Sequence, residues 1–396
     1  MTDFIANWNY PTNVSVGRGR ISELPEACKR LGIESPLLVT DPGLAALPMV
    51  LDACAACNQA GLRCAVFSDI QGNPTGNNVE DGVRAFKRGE HDGVIAFGGG
   101  SALDAAKAIA LMVGQDRPLW DFEDVGDNWQ RVNEAGVAAI VAIPTTAGTG
   151  SEVGRASVIT DADTDAKNHV KKIIFHPKML PQIVILDPEL TVGLPPHITA
   201  ATGMDALSHS LEALCSPFYH PMAEGIAIEG IRLVKTYLAR AVKDGRDIEA
   251  RTQMLVASSM GATAFQKGLG GMHAIAHTLG AVYGAHHGLL NAILMPYVLQ
   301  ANREKIEDRI VRLASYLDLE DPSFEGFMSW VLTMRSDLAI PNTLAEIEID
   351  DRQADKVGEM SVADPSAGGN PVAYSASQYA KLFINAVSGD LKGSLE

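Results

Sequence analysis

The periodicity of the hydrophobic residues changes once along this chain, and that change limits the possible folds more than any other feature. Through the first half, short apolar runs alternate with helix-length segments: "SPLLVTD", "LRCAVFSD", "DGVIAFGGG", "GVAAIVAIP" and "PQIVILDP", each closing on Gly, Asp or Pro. Apolar runs without polar alternation belong to strands covered on both faces, the condition of a parallel sheet flanked by helices. After "DPELTVGLPPHITAA" long helical patterns take over, across 198–215, 221–242, 248–261, the histidine-rich segment and on through "QYAKLFINAV", with no comparable strand series. The expected organisation is a Rossmann-like α/β domain with a parallel sheet over 1–190, followed by an all-α domain over 191–396.

At 396 residues and 46% hydrophobic content the chain can bury two cores. Its formal net charge of −16 argues against nucleic acid or an anionic membrane surface as partner and leaves a small molecule. The opening "MTDFIANWNYPT" has neither a basic nor an apolar targeting region, and no run reaches the length of a membrane span, so a cytoplasmic protein is expected. Five cysteines, an odd number, do not suggest a disulfide framework; Cys54 and Cys57 form a CxxC in a stretch of helical character and read as reduced helix residues.

"DGVIAFGGGSALDAAKAIAL" reads as strand, glycine turn, helix. Glycines let a ligand approach the backbone, and the unpaired N–H groups opening a helix attract an anion, which suits a pyrophosphate. A plain turn reads the same way. Ser101 and Asp104 have the spacing of a helix N-cap and its reciprocal partner, so Asp104 is either a cap or a cofactor contact. The usual dinucleotide fingerprint is absent, because these glycines follow the third strand of the series and the acidic candidate, Asp41, lies upstream. A carboxylate there suits a ribose 2′-hydroxyl and repels a 2′-phosphate, favouring NAD over NADP. "IPTTAGTGSEV" adds hydroxyls and glycines after the next strand, as a phosphate-binding loop or an ordinary polar connection does.

In the second half, "GMDALSHSLEA" puts Asp205 and His209 four apart on one helix face, and "GMHAIAHTLG" does the same for His273 and His277 on a helix otherwise apolar. His286 and His287 follow closely; adjacent side chains diverge, so only one of the two can face the same point as His273. One carboxylate with several imidazoles suits Fe²⁺ or Zn²⁺ and is too rich in nitrogen for Mg²⁺ or Ca²⁺. Spacing alone leaves open which histidines bind.

Taken in order, "YPTNVSVGRG", "VTDPGL", "FSDIQGNPT", "FGGGSALDAAKAIA", "IPTTAGTGSEV", "ILDPELTVGLPPHITAATGMDALSHSLEA", the histidine region and "AGGNPVAYSASQYAKLF" resemble the iron-containing (group III) alcohol dehydrogenase family along nearly the whole chain. The resemblance implies a dehydroquinate synthase-like architecture with Asp205, His209, His273 and His287 as ligands of Fe²⁺, or of Zn²⁺. It implies that His277 lies beside the metal without binding it, in a proton-relay role. For NAD it implies contacts from Asp41, Asn73, Gly99, Gly100, Ser101, Thr145, Thr146 and Lys171. It further implies a homodimer or larger homo-oligomer, with the N-terminal strand exchanged or paired across it. The departures are His286, which competes with His287 as a ligand, Gly154 where a threonine is common, and a long connection, "DADTDAKNHV".

The expected reaction is reversible hydride transfer between NAD(H) and a small primary alcohol or aldehyde, with the cation as Lewis acid. A reductase of a short ω-oxo acid is the nearest alternative, suggested by Arg155, Lys171 and Lys172. An NAD-dependent metal lyase of the same fold and a non-catalytic NAD-binding protein are the others.

Overall fold

The computed structural model describes residues 12–162 and 170–395. The opening residues 1–11 and most of the "DADTDAKNHV" connection therefore lie outside the described residues. The chain forms two compact units that divide between Gly193 and Leu194.

The first unit holds β1 (Asn13–Val16), α1 (Leu24–Arg30), β2 (Pro36–Val39), α2 (Pro42–Ala45), α3 (Pro48–Gln59), β3 (Ala65–Phe67), α4 (Gly76–Arg88), β4 (Gly93–Gly98), α5 (Gly100–Met112), β5 (Ala139–Pro144), β6 (Ala156–Asp161), β7 (Val170–Phe175) and β8 (Ile183–Leu186). Six strands make a sheet in the order β1-β8-β5-β4-β2-β3, every pair parallel. The five apolar runs of the sequence are β2, β3, β4, β5 and β8.

Their lack of polar alternation has a direct cause. Leu38, Ile95, Phe97, Val141, Ile143, Ile183 and Ile185 point to one face, where they pack with Leu24, Cys28, Val50 and Cys57 of α1 and α3. The intervening Val94, Ala96, Ile140 and Ala142 are equally buried on the other face. Each such large side chain contributes about 1.5–3 kcal/mol when fully buried.

Two features lie outside that strand series. β1 is short and largely exposed, and pairs with β8 of the same chain at the sheet edge. β6 and β7 form a separate antiparallel hairpin; mixed hydroxyls and lysines give it no continuous apolar signature. All five cysteines are free thiols.

The second unit is helical: α6 (Pro196–Cys215), α7 (Pro221–Lys243), α8 (Ile248–Ala264), α9 (Gly271–Tyr283), α10 (His287–Tyr316), α11 (Phe324–Asp337), α12 (Ala354–Ala363) and α13 (Ala376–Ser388). α6 packs against α7, α8 and α10, and it is buried at every residue from Thr199 to Cys215. A helix enclosed on all sides is normally apolar all round. This one carries Asp205, Ser208, His209, Ser210 and Glu212 inside, and buried polar groups require partners. No helix among the described residues is long and apolar enough to cross a membrane.

Candidate metal centre and cofactor turn

Three helices of the second unit bring the sequence's acidic and imidazole candidates together. Asp205, His209 and Glu212 follow one another at i, i+4 and i+7 along one face of α6. His273 enters from the first turn of α9, and His287 opens α10. One ligand atom from each of Asp205, His209, His273 and His287 lies within 4.8 Å of all the others. Asp205 Oδ1 stands 3.9 Å from His273 Nε2 and 3.6 Å from His287 Nε2. The His209 and His273 rings stack with centroids 4.7 Å apart. Asp205, His209 and His273 are nearly inaccessible.

The tautomer of His273 follows from its surroundings. Glu212 accepts from the backbone N–H groups of Gly270 at 2.8 Å and Met272 at 2.7 Å, and its Oε2 lies 2.6 Å from His273 Nδ1. A carboxylate offers only acceptors, so Nδ1 carries the proton and Nε2 turns a lone pair toward Asp205. The Asn291 amide, one turn into α10, donates to Asp205 Oδ1 at 2.8 Å and sits 3.2 Å from both His273 Nε2 and His287 Nε2. Three acceptor lone pairs thus converge in a buried space. Burial alone would raise the Asp205 carboxyl, but in metal-free protein the imidazoles in their protonated form and the Asn291 amide outweigh it and hold it at about 2, so it is ionised. One carboxylate oxygen and three ring nitrogens, all but that of His287 buried, fit a divalent cation of borderline softness, Fe²⁺ or Zn²⁺.

His277 stands beside this cluster and outside it. Its ring stacks on His287 at 5.1 Å, and its Nδ1 lies 3.0 Å from Asp364 Oδ2. The adjacent pair resolves by geometry: His286 Nδ1 accepts from Leu289 N at 3.3 Å as the N-cap of α10, while His287 turns into the cluster. Glu212, Asn291 and Asp364 were not singled out from the sequence. Glu212 had a signal, since it continues the Asp205 and His209 stripe; Asn291 and Asp364 lie on segments whose approach to the site depends on tertiary packing.

The cofactor candidates all lie in the first unit, most of them around the turn between β4 and α5. Gly99 is the extended N-cap of α5, with no side chain capping the helix. Gly98 has φ +146°, and a Cβ there would sit 2.8 Å from Ala102 Cβ and 3.5 Å from Asp41 Oδ2. A Cβ on Gly100 would sit 2.6 Å from Thr149 Cγ2. Open helix N–H groups beside a backbone without side chains make a cradle that fits a pyrophosphate. Asp41 follows β2, with one oxygen accepting from Leu44 N at 3.1 Å. Thr145 N donates to Gly98 O, and Thr146 packs over Gly99.

The capping expectation for Ser101 and Asp104 fails, because α5 starts before Ser101. Ser101 Oγ instead donates to Gly72 O at 2.5 Å, beside Asn73. Asp104 accepts from Ser151 Oγ at 2.5 Å and Val158 N at 3.0 Å and lies 3.3 Å from the buried Lys107 Nζ, binding α5 to β6. Lys171, on β7, has its ammonium pushed down by burial against the pull of Asp104.

Two family models match the chain, iron-containing alcohol dehydrogenase over residues 11–188 and the C-terminal region of the Fe-containing alcohol dehydrogenase family over 199–387. The chain belongs to the iron-containing alcohol dehydrogenase family. It is 37% identical to the 4-hydroxybutyrate dehydrogenase of Cupriavidus necator, across 94% of this chain and 97% of that protein. It is 33% identical to the NAD-dependent methanol dehydrogenase of Bacillus methanolicus, across 97% and 100%. A solved 1,3-propanediol oxidoreductase superposes with a TM-score of 0.90 at 32% identity, across 96% of this chain and all of that one. Members of this family are oxidoreductases, so the lyase and non-catalytic alternatives fall away.

Proposed function

We propose that this chain interconverts a small primary alcohol and its aldehyde with NAD(H) and one divalent cation, Fe²⁺ or Zn²⁺. The observation that carries the reading is the convergence of Asp205, His209, His273 and His287 in a family whose members share this reaction. When bound, the cation supplies Lewis acidity to the substrate oxygen and the nicotinamide accepts the hydride. Asp205 and the three imidazoles hold the cation, and Glu212 and Asn291 orient them. His277 takes the hydroxyl proton at Nε2 and returns it in the reverse direction. In the first unit, Gly99, Gly100 and Ser101 receive the pyrophosphate at the start of α5, with Thr145, Thr146 and Lys171 around it and Asn73 on the adenosine side, while Asp104 supports the turn through Ser151, Val158 and Lys107. Asp41 accepts from the adenosine ribose. Cytoplasmic location and a homodimer or larger assembly complete the reading, supported by the five free thiols and by the family resemblance.

A short ω-hydroxy or ω-oxo acid is a second substrate reading, favoured by the 37% identity to a 4-hydroxybutyrate dehydrogenase. Two of the three cations that suggested it from the sequence are engaged locally. Lys172 pairs with Asp161 at 2.9 Å, and Arg155 lies over the Phe175 ring with Asp124 as its countercharge. A panel of primary alcohols, diols and 4-hydroxybutyrate, assayed for NADH formation on protein loaded with Fe²⁺ or Zn²⁺, separates the two. Turnover confined to 4-hydroxybutyrate would establish the second reading, and no NADH with any of them would overturn both. Asp41→Gly should relax the preference for NAD over NADP by tenfold or more; an unchanged ratio would remove Asp41 from the ribose site.

A further inference from the structure

Asp364 is mostly enclosed just past the end of α12, where a carboxylate needs donors, and it has found them on two sides. Its Oδ1 accepts from Ser366 N at 2.8 Å as the N-cap of the single helical turn Pro365–Gly369. Its Oδ2 lies 3.0 Å from His277 Nδ1, with both side chains 14% exposed. Burial on its own would raise this carboxyl; His277 and Ser366 reverse the effect and hold it below its ordinary range. Because an ionised carboxylate has no proton to give, the contact requires the proton to sit on His277 Nδ1. The ring is also fixed in plane, parallel to His287 within 13°.

We propose that Asp364 is the positioning residue of His277, holding it as the Nδ1–H tautomer so that the Nε2 lone pair is the atom offered to the substrate hydroxyl. The inference rests on the role given to His277 above. Two devices of the same chemistry then flank the site: Glu212 sets the tautomer of a metal ligand, and Asp364 sets that of its unligated neighbour.

Asp364→Asn tests this, because it separates the cap from the tautomer. Asn caps a helical turn as well as Asp. Its single oxygen is claimed by Ser366 N, so its NH₂ must face His277, which can accept only by losing the Nδ1 proton and carrying it on Nε2. The measurement is the ¹⁵N spectrum of histidine-labelled, Zn²⁺-loaded protein, read alongside kcat and KM. The expected result is a reversed His277 tautomer, with kcat for alcohol oxidation falling about 100-fold, KM and zinc content little changed, and Tm near that of the parent. Asp364→Ser keeps the cap without reaching His277 and should leave both tautomers populated. A His277 signal identical in parent and Asp364→Asn protein would overturn the inference. A reversed tautomer with an unchanged kcat would uphold Asp364 as the positioning residue and instead remove His277 from the proton transfer.

Discussion

Glu212 is the residue on which the candidate centre turns. It binds no cation itself, yet it accepts from two backbone N–H groups at the start of α9 and from His273. One carboxylate therefore fixes both where α9 meets α6 and which nitrogen His273 presents. Glu212→Gln replaces an acceptor by a donor facing another N–H, and groups of this kind typically contribute 10–100-fold in metal affinity. Calorimetric titration of the metal-free variant with Zn²⁺ should show that loss, while an unchanged Kd would reduce Glu212 to a structural role. At this scale the sequence was legible wherever partners share a helix. Asp205 with His209, and His273 with His277, stood out because a spacing of four places two side chains on one face. Asp364 and Asn291 were silent, since an Asp before a Pro reads as a turn and an Asn in an apolar helix reads as incidental until the segments they meet are known.

At the scale of elements, the junction of β4 and α5 couples fold to function. The strand must end where the helix can begin without a capping side chain, and Gly98 achieves this with φ +146°, a conformation L side chains rarely adopt. Gly98→Ala would drive a Cβ to within 2.8 Å of Ala102 Cβ. The expected outcome is a loss of about 1–3 kcal/mol of stability together with weaker NADH binding, read by denaturant unfolding and by fluorescence titration. Parent-like values in both would show that the turn is an ordinary connection. β2, β4, β5 and β8 were legible because each is enclosed on two faces and so apolar throughout, and β3, a short and more exposed edge strand, because its residues are apolar. β1, four largely exposed residues, and the β6–β7 hairpin, with its lysines and hydroxyls, lack that enclosure. The cap reading of Asp104 failed for a related reason: its spacing from Ser101 fits a cap, but its partners are Ser151, in the turn after β5, and Val158 of β6, whose approach to α5 local pattern did not reveal.

For the molecule as a whole, the division into an α/β unit and a helical unit was readable as the single change in hydrophobic period, whereas the substrate was not readable, because specificity rests on which side chains line a pocket. The cost of assembling the centre should be visible in global stability. In metal-free protein Asp205 is held at about 2 against an ordinary 3.8. Its folded pKa is depressed, so the stability it contributes, about 2 kcal/mol, is complete above the unfolded value and drains away as pH falls toward the folded one. Urea unfolding of metal-free protein between pH 5 and pH 3 should show the parent losing more stability than Asp205→Asn, and equal slopes would contradict the ionised, imidazole-flanked carboxylate. The most direct test of the central claim is NADH formation from a primary alcohol as Fe²⁺ is added to metal-free parent and His273→Ala protein. The expected result is no activity without metal, a linear rise to a plateau at one equivalent in the parent, and none in the variant; alcohol oxidation by metal-free protein, or by the variant at the parent's rate, would overturn the assignment of the metal centre.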